Sequence, residues 1–226
     1  MKEKWQSIRG FFRKNSRKLI PLLLLAAILL PIVVDNSYVL GICTKILLYM
    51  LLASSVNVIN GYSGQFAIGH AGFLCVGAYT AAILMARANV PFFLAMLGAG
   101  VMTALFGMLV SFPIGKLSGI YLGFVTLGFS EIVRIICLNW TSVTGGPMGI
   151  KAIPGPKIFG FSLQSSRGYY YIIFAVLVIM VFCTSRILKS RTGRAWISIR
   201  ENGAAAASIG INTAQYKTMN IMYATF

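Results

Sequence analysis

Residues 90–112 run for 23 positions without a single Asp, Glu, Lys or Arg. As a helix rising about 1.5 Å per residue they reach roughly 34 Å, enough to cross the hydrocarbon of a bilayer. Comparable apolar runs occupy 39–59, 66–86, 120–138 and 169–184, with a shorter one at 19–34 holding Pro21 and Pro31. Backbone in hydrocarbon must satisfy its own hydrogen bonds, and runs of this length do so as helices. Composition agrees: charged residues make up 11%, where a soluble domain carries about a quarter. The sequence therefore specifies an all-α polytopic membrane protein with six complete spans. An eight-residue apolar run at 219–226 is too short to cross. The expectation is that the chain stops inside a seventh span.

The net charge of +16 would suggest nucleic acid if it formed a patch on a soluble domain. Here the basic residues fall between the apolar runs, where they orient spans instead. Seven crowd residues 1–18, and seven more are Lys116, Arg186, Lys189, Arg191, Arg194, Arg200 and Lys217, all in segments assigned inside. Outer segments hold four: Arg87, Lys151, Lys157 and Arg167. This asymmetry places a basic N-terminus (1–18) in the cytoplasm, a membrane domain over 19–226, a long outer loop at 139–168 and a cytoplasmic segment at 185–217. No small-x-small cleavage site follows the first run, so it reads as a retained span rather than a signal peptide. The tyrosines 169–171 open the sixth run at the expected interfacial height.

One stretch breaks the pattern. Residues 60–80, NGYSGQFAIGHAGFLCVGAYT, are apolar yet interrupted by Gly61, Gly64, Gly69, Gly72 and Gly77, with Ser63, Gln65 and the only histidine, His70. Irregular backbone survives at membrane depth where protein or a water-filled cavity takes up its hydrogen bonds. Two readings follow: a lining for a translocation path, with Gly61, Ser63, Gln65, Gly69 and His70 as its candidates, or close helix packing through small residues. Residues 60–65 fit a cytoplasmic turn or a mid-membrane break, and spans of about 20 residues on both sides favour the turn.

Lys45, Glu131 and Arg134 are the ionisable residues within spans. Glu131 and Arg134, three apart on one helix, can form an intramembrane ion pair, with a substrate-binding or proton-relay role as the alternative. Lys45 can snorkel outward or join them. Cys43, Cys75, Cys137 and Cys183 lie in apolar runs without metal-ligand spacing and read as small buried hydrophobes. His70 has no neighbouring ligand at metal spacing, and no cofactor motif or phosphate-binding loop occurs. Within 185–217, Arg194, Ser198 and Glu201 fall on one side of a helix and Trp196, Ile199 and Ala206 on the other. Asn202–Gly203 breaks that helix and leaves a short one stopped by Gly210. An amphipathic helix on anionic lipid, with Trp196 at the interface, and a docking surface for a cytoplasmic partner both fit.

Four stretches carry a resemblance: GYSGQFAIGHAGFLCVGAYTAAIL (61–84), GIYLGFVTLGFSEIVRIICLNW (119–140), TGGPMGIKAIPGPKIFGFSL (144–163) and SRTGRAWISIRENGAAAASIGIN (190–212). In this order they are similar to the membrane permease subunits of branched-chain amino-acid ABC transporters. The resemblance implies a fold of ABC-importer permease type, a homologous sister permease, two ATP-binding subunits docking from the cytoplasm and an extracytoplasmic substrate-binding protein. It further implies a multi-pass location in a prokaryotic inner membrane. It assigns Gly193, Arg194, Arg200, Glu201 and Gly210 to an ATPase-facing coupling loop, and Thr144, Gly145 and Gly146 to the loop near the binding protein. Members commonly carry acids in the coupling stretch where this chain has Gly203 and Ala207. The implied function is a translocation subunit, itself no enzyme, driven by ATP hydrolysis on another chain. A self-sufficient ion-coupled transporter is the competing class, and urea or amides are competing substrates.

Overall fold

The computed structural model describes residues 24–34, 36–114, 120–158, 161–162 and 165–226. The basic N-terminus at 1–18 and Lys116 lie outside the described residues. Helices α1 (Leu24–Val33), α2 (Ser37–Asn57), α3 (His70–Ala86), α4 (Phe92–Ile114) and α5 (Ile120–Asn139) come first. A one-turn α6 (Thr141–Thr144) follows, then α7 (Ser166–Lys189), α8 (Arg191–Glu201), α9 (Gly203–Ser208) and α10 (Thr213–Thr225). The only described strands are β1 (Lys157–Ile158) and β2 (Phe161–Ser162), a two-residue antiparallel ladder in the loop before α7. Four stretches are long and apolar enough to cross a membrane: Ser37–Tyr62, Phe92–Ser111, Tyr121–Asn139 and Ser166–Lys189.

Helix ends are set by side chains that take up free backbone N–H groups. Asn36 Oδ1 accepts from Tyr38 N at 2.9 Å to start α2, and Ser165 Oγ accepts from Gly168 N at 3.2 Å to start α7. Asn202 interrupts the segment as its sequence suggested. Its side chain accepts from the N–H groups of Ala204 and Ala205, both at 3.0 Å, ending α8 and opening α9.

The third span departs from expectation. Residues 66–69 are not helical, and α3 starts only at His70. The non-helical backbone here is held by protein groups. Gln65 N donates to Ile59 O at 3.2 Å, Ala67 N to Asn60 Oδ1 at 3.1 Å, and Ile68 N and Gly69 N to Thr126 Oγ1 at 3.2 and 3.3 Å.

Packing adds contacts that the apolar runs do not announce. Tyr170 and Tyr171 donate to the carbonyls of Ala27 and Ile28 at 2.8 and 3.1 Å, tying α7 to α1. None of the four cysteines is fully buried, and Cys183 is exposed, because α7 lacks a covering helix on that side among the described residues.

Candidate functional site

The site grows from the end of α2. Its last helical turn widens into a π-turn, Val58–Tyr62, whose buried residues Val58 and Ile59 join Trp196, Ala67, Ile221 and Ala224 in one core. Gly64 has φ +67°, a left-handed conformation suited to glycine, and reverses the chain. The result is an elbow joining α2 to α3, gripped from three sides.

Helix α8 holds the first side. Trp196, 1% exposed, sits in the core and donates its indole N–H to Tyr216 O at 3.0 Å. A lipid-surface helix with Trp196 at the interface is therefore not what forms, because that ring is already buried against α2 and α10. Arg200 Nη1 donates to Gly61 O at 2.9 Å, while Nη2 and Nε bond Glu201 Oε1 at 2.6 and 3.2 Å. A Cβ on Gly64 would come within 2.7 Å of the Arg200 side chain. Helix α10 holds the second side. Asn220, wholly buried, donates to Val58 O at 3.1 Å, and Gln65 Nε2 donates to Ser63 Oγ at 2.8 Å and Lys217 O at 3.3 Å. Helix α5 holds the third. Gly69 packs so closely on it that a Cβ would collide with the Thr126 carbonyl, and one on Gly72 would approach Ser130 Cα to 2.7 Å.

The elbow lies at the α8–α9 end of the bundle. The turn at Gly61–Gly64 touches α8, while the non-helical residues after it lie against Thr126 of α5. Two buried side-chain atoms lack a hydrogen-bond partner among the described residues, Gln65 Oε1 and His70 Nδ1, and both belong to this stretch. Ser55 Oγ lies 2.9 Å from His70 Nε2 and its hydroxyl donates to the Ala224 carbonyl. With that proton committed, His70 Nε2 is the donor and Nδ1 the free acceptor. An unpaired buried acceptor costs about 1–3 kcal/mol, so a water or a ligand donor is favoured there.

Above the elbow, α2, α3, α4, α7 and α10 enclose a cavity of about 430 Å³. His70, Ser55 and Thr103 are polar on its wall, among Leu51, Phe73 and Met96. Of the five path candidates only His70 reaches this cavity. Gly61, Ser63, Gln65 and Gly69 are engaged at the joints with α8, α10 and α5. Sequence reasoning missed Asn220 and Thr126. Both are polar residues in apolar runs, and polarity inside such a run was the available signal.

The other candidates scatter. Gly193 lies in the first turn of α8 and packs against the end of α7, where a Cβ would strike Ile187 O and Leu188. Arg194 is exposed and donates to Lys189 O at 3.1 Å, and Gly210 ends α9's turn at φ +86°. At the opposite end, Thr144 is 5% exposed and donates to Cys137 O at 2.7 Å, and Gly145 and Gly146 adopt positive φ above it. Arg87 Nη2 clamps this knot to α3 through Ser142 O and Val143 O at 2.7 and 2.9 Å. Glu131 and Arg134 pair on α5 at 2.5 and 2.9 Å, and Lys45 is exposed on α2. No cluster of three His, Cys, Asp or Glu able to hold a metal occurs among the described residues.

A helical bundle with an interrupted span, gripped by short helices that carry a charged outer edge, is the architecture of a polytopic membrane protein. Residues 38–226 match the family described as "Branched-chain amino acid transport system / permease component", and the chain belongs to that family. It is 36% identical over 93% of its length to the high-affinity branched-chain amino acid transport system permease protein LivM of Escherichia coli (strain K12), covering 55% of that protein. The protein of the same name in Salmonella typhimurium is also 36% identical, over 86% of this chain and 51% of the relative. A probable branched-chain amino acid transport permease protein LivM of Methanocaldococcus jannaschii is 26% identical over 77% of the chain and 60% of its own length. The chain thus spans about half the length of the curated relatives it matches. No solved structure matches.

Proposed function

We propose that this chain is a membrane-spanning translocation subunit of an ATP-driven importer for branched-chain amino acids or similar small solutes. It pairs with a homologous permease in a prokaryotic inner membrane, with its N-terminus in the cytoplasm. Two ATP-binding subunits dock on α8–α9, and an extracytoplasmic binding protein delivers solute at the 139–168 end. ATP hydrolysis resides on those other subunits.

The observation carrying this reading is the grip of α8 on the elbow. The inner face of α8, Ala195, Trp196 and Ile199, is buried, while Arg194 and Glu201 face out and Ile209 projects 74% exposed at the tip of α9. A partner seated on that outer edge changes the path only through contacts that differ between its nucleotide states. Arg200 to Gly61 and Trp196 to Tyr216 are the contacts that carry such a change to the interrupted span. Residues 66–69 are outside the helical ladder and are held instead by side chains of neighbouring elements, so a shift of those elements reaches this backbone directly. An ion-coupled transporter would need a chain of titratable groups, and Glu131 is the one acid in a described span. The test is purification of the full-length protein from its native membrane, followed by reconstitution. Co-purifying ATPase, sister permease and binding protein, with ATP-dependent leucine uptake, support the reading. Uptake that follows an ion gradient without ATP would replace it.

A further inference from the structure

Helix α5 is covered on one face only. Leu122, Thr126 and Val133 are buried at 2, 2 and 7% exposure, against α3 and α4. Opposite them Phe124, Gly128, Glu131, Ile135 and Leu138 follow one another at spacings of four, three, four and three, which keeps them on a single stripe. A Cβ added at Gly128 would meet nothing within 4 Å. Beside that gap stand Glu131 and Arg134, their side chains 55% and 61% exposed. Glu131 lies eight residues before the end of α5, roughly 12 Å along the helix, so its short side chain cannot reach a bilayer surface. Lipid tails offer it no hydrogen bond, and intramembrane charges face protein or a water-filled cavity.

We propose that this stripe borders the solute path and that Glu131 and Arg134 receive there the two charged ends of a zwitterionic α-amino acid. The inference rests on the transport reading and names the recognition chemistry. Arg134 offers a planar fork of N–H donors, which matches an α-carboxylate. Glu131 offers two acceptor oxygens, which match an α-ammonium. The pair is neutral as a whole, as is the solute. A lone cation would meet the guanidinium and a lone anion the carboxylate, so the doublet favours a molecule carrying both charges. Without solute the two side chains satisfy each other through two hydrogen bonds. On binding, each exchanges that partner for one on the solute, and no bare charge is left in an apolar passage. The open space at Gly128 lies one helical turn below Glu131, where a solute's side chain can sit against Phe124 and Ile135.

The experiment uses the full-length protein assembled with its partners in proteoliposomes. First, single cysteines replacing Gly128 or Ile135 in a cysteine-free background should react with a small, charged, membrane-impermeant thiosulfonate, and saturating leucine should slow the reaction. Second, Glu131→Gln and Arg134→Gln should each raise the KM for leucine about tenfold, the loss expected for one charge-assisted contact. Third, competition by analogues separates recognition from a structural role. Arg134→Gln should lose discrimination against leucinamide, and Glu131→Gln should lose it against 4-methylpentanoate. Unreactive cysteines would mean that lipid or another helix covers the stripe, and the proposal would fall. Reactivity that leucine does not slow, or analogue ratios equal to wild type in both variants, would overturn it too. If the wild-type assembly carries no amino acid, the transport reading itself fails. If wild type accumulates leucine and these arms are negative, only the role of the pair fails.

Discussion

Thr126→Val tests whether the interrupted span is held by α5. The change keeps the side chain's shape and removes one oxygen. That oxygen, on a residue 2% exposed, accepts from both Ile68 N and Gly69 N at 3.2 and 3.3 Å. Neither N–H has another hydrogen bond among the described residues, so the variant leaves two donors unsatisfied. At about 1–3 kcal/mol for each buried orphan, the cost is about 2–6 kcal/mol. Even the lower figure raises the unfolded or opened fraction roughly thirtyfold. Thr103→Val is the control: it is 4% exposed, but its hydroxyl only donates back to Ala99 O and Gly100 O in its own helix. Losing it should cost little. The assay is thermal unfolding of the full-length variants in detergent, with protease sensitivity at residues 63–69 as a local readout. Thr126→Val should melt several degrees lower and become cleavable at the elbow, while Thr103→Val should track wild type. Equal melting of the two variants would refute the argument that Thr126 anchors this backbone.

Three further outcomes are expected. Gly69→Ala should abolish uptake while still inserting, since its Cβ collides with the Thr126 carbonyl; overpacking of this kind costs about 1–3 kcal/mol, and normal uptake would show that α3 and α5 can part. Arg200→Ala should leave insertion intact yet lower uptake and stop ATP hydrolysis responding to loaded binding protein, because the bond to Gly61 O is lost. Substrate-stimulated hydrolysis at the wild-type level would remove Arg200 from coupling. Single cysteines at Met148 and Ile209, 75% and 74% exposed at opposite ends, should label from opposite sides of the membrane, and labelling of both in intact cells would overturn the topology.

The sequence by itself determined class, span order and charge asymmetry, because apolar runs near 20 residues have one solution in hydrocarbon. It also located the irregular stretch and the break at Asn202, since glycine clusters and an N-cap asparagine act through local backbone preferences. The two-sided character of α8 was equally legible from its 3.6-residue period. What the sequence left open was which faces meet. Trp196 reads the same on a lipid surface or in a core; its burial under the α2 elbow depends on α10, 20 residues further along. The start of α3 four residues late depends on a hydroxyl 57 residues away, and no local pattern around Phe66 announces Thr126. Arg200 likewise finds a carbonyl 139 positions earlier in the chain. Such contacts are set by how helices cross, a property of the assembled bundle. Periodicity fixes which residues share a face of a helix, and only tertiary packing fixes what that face touches.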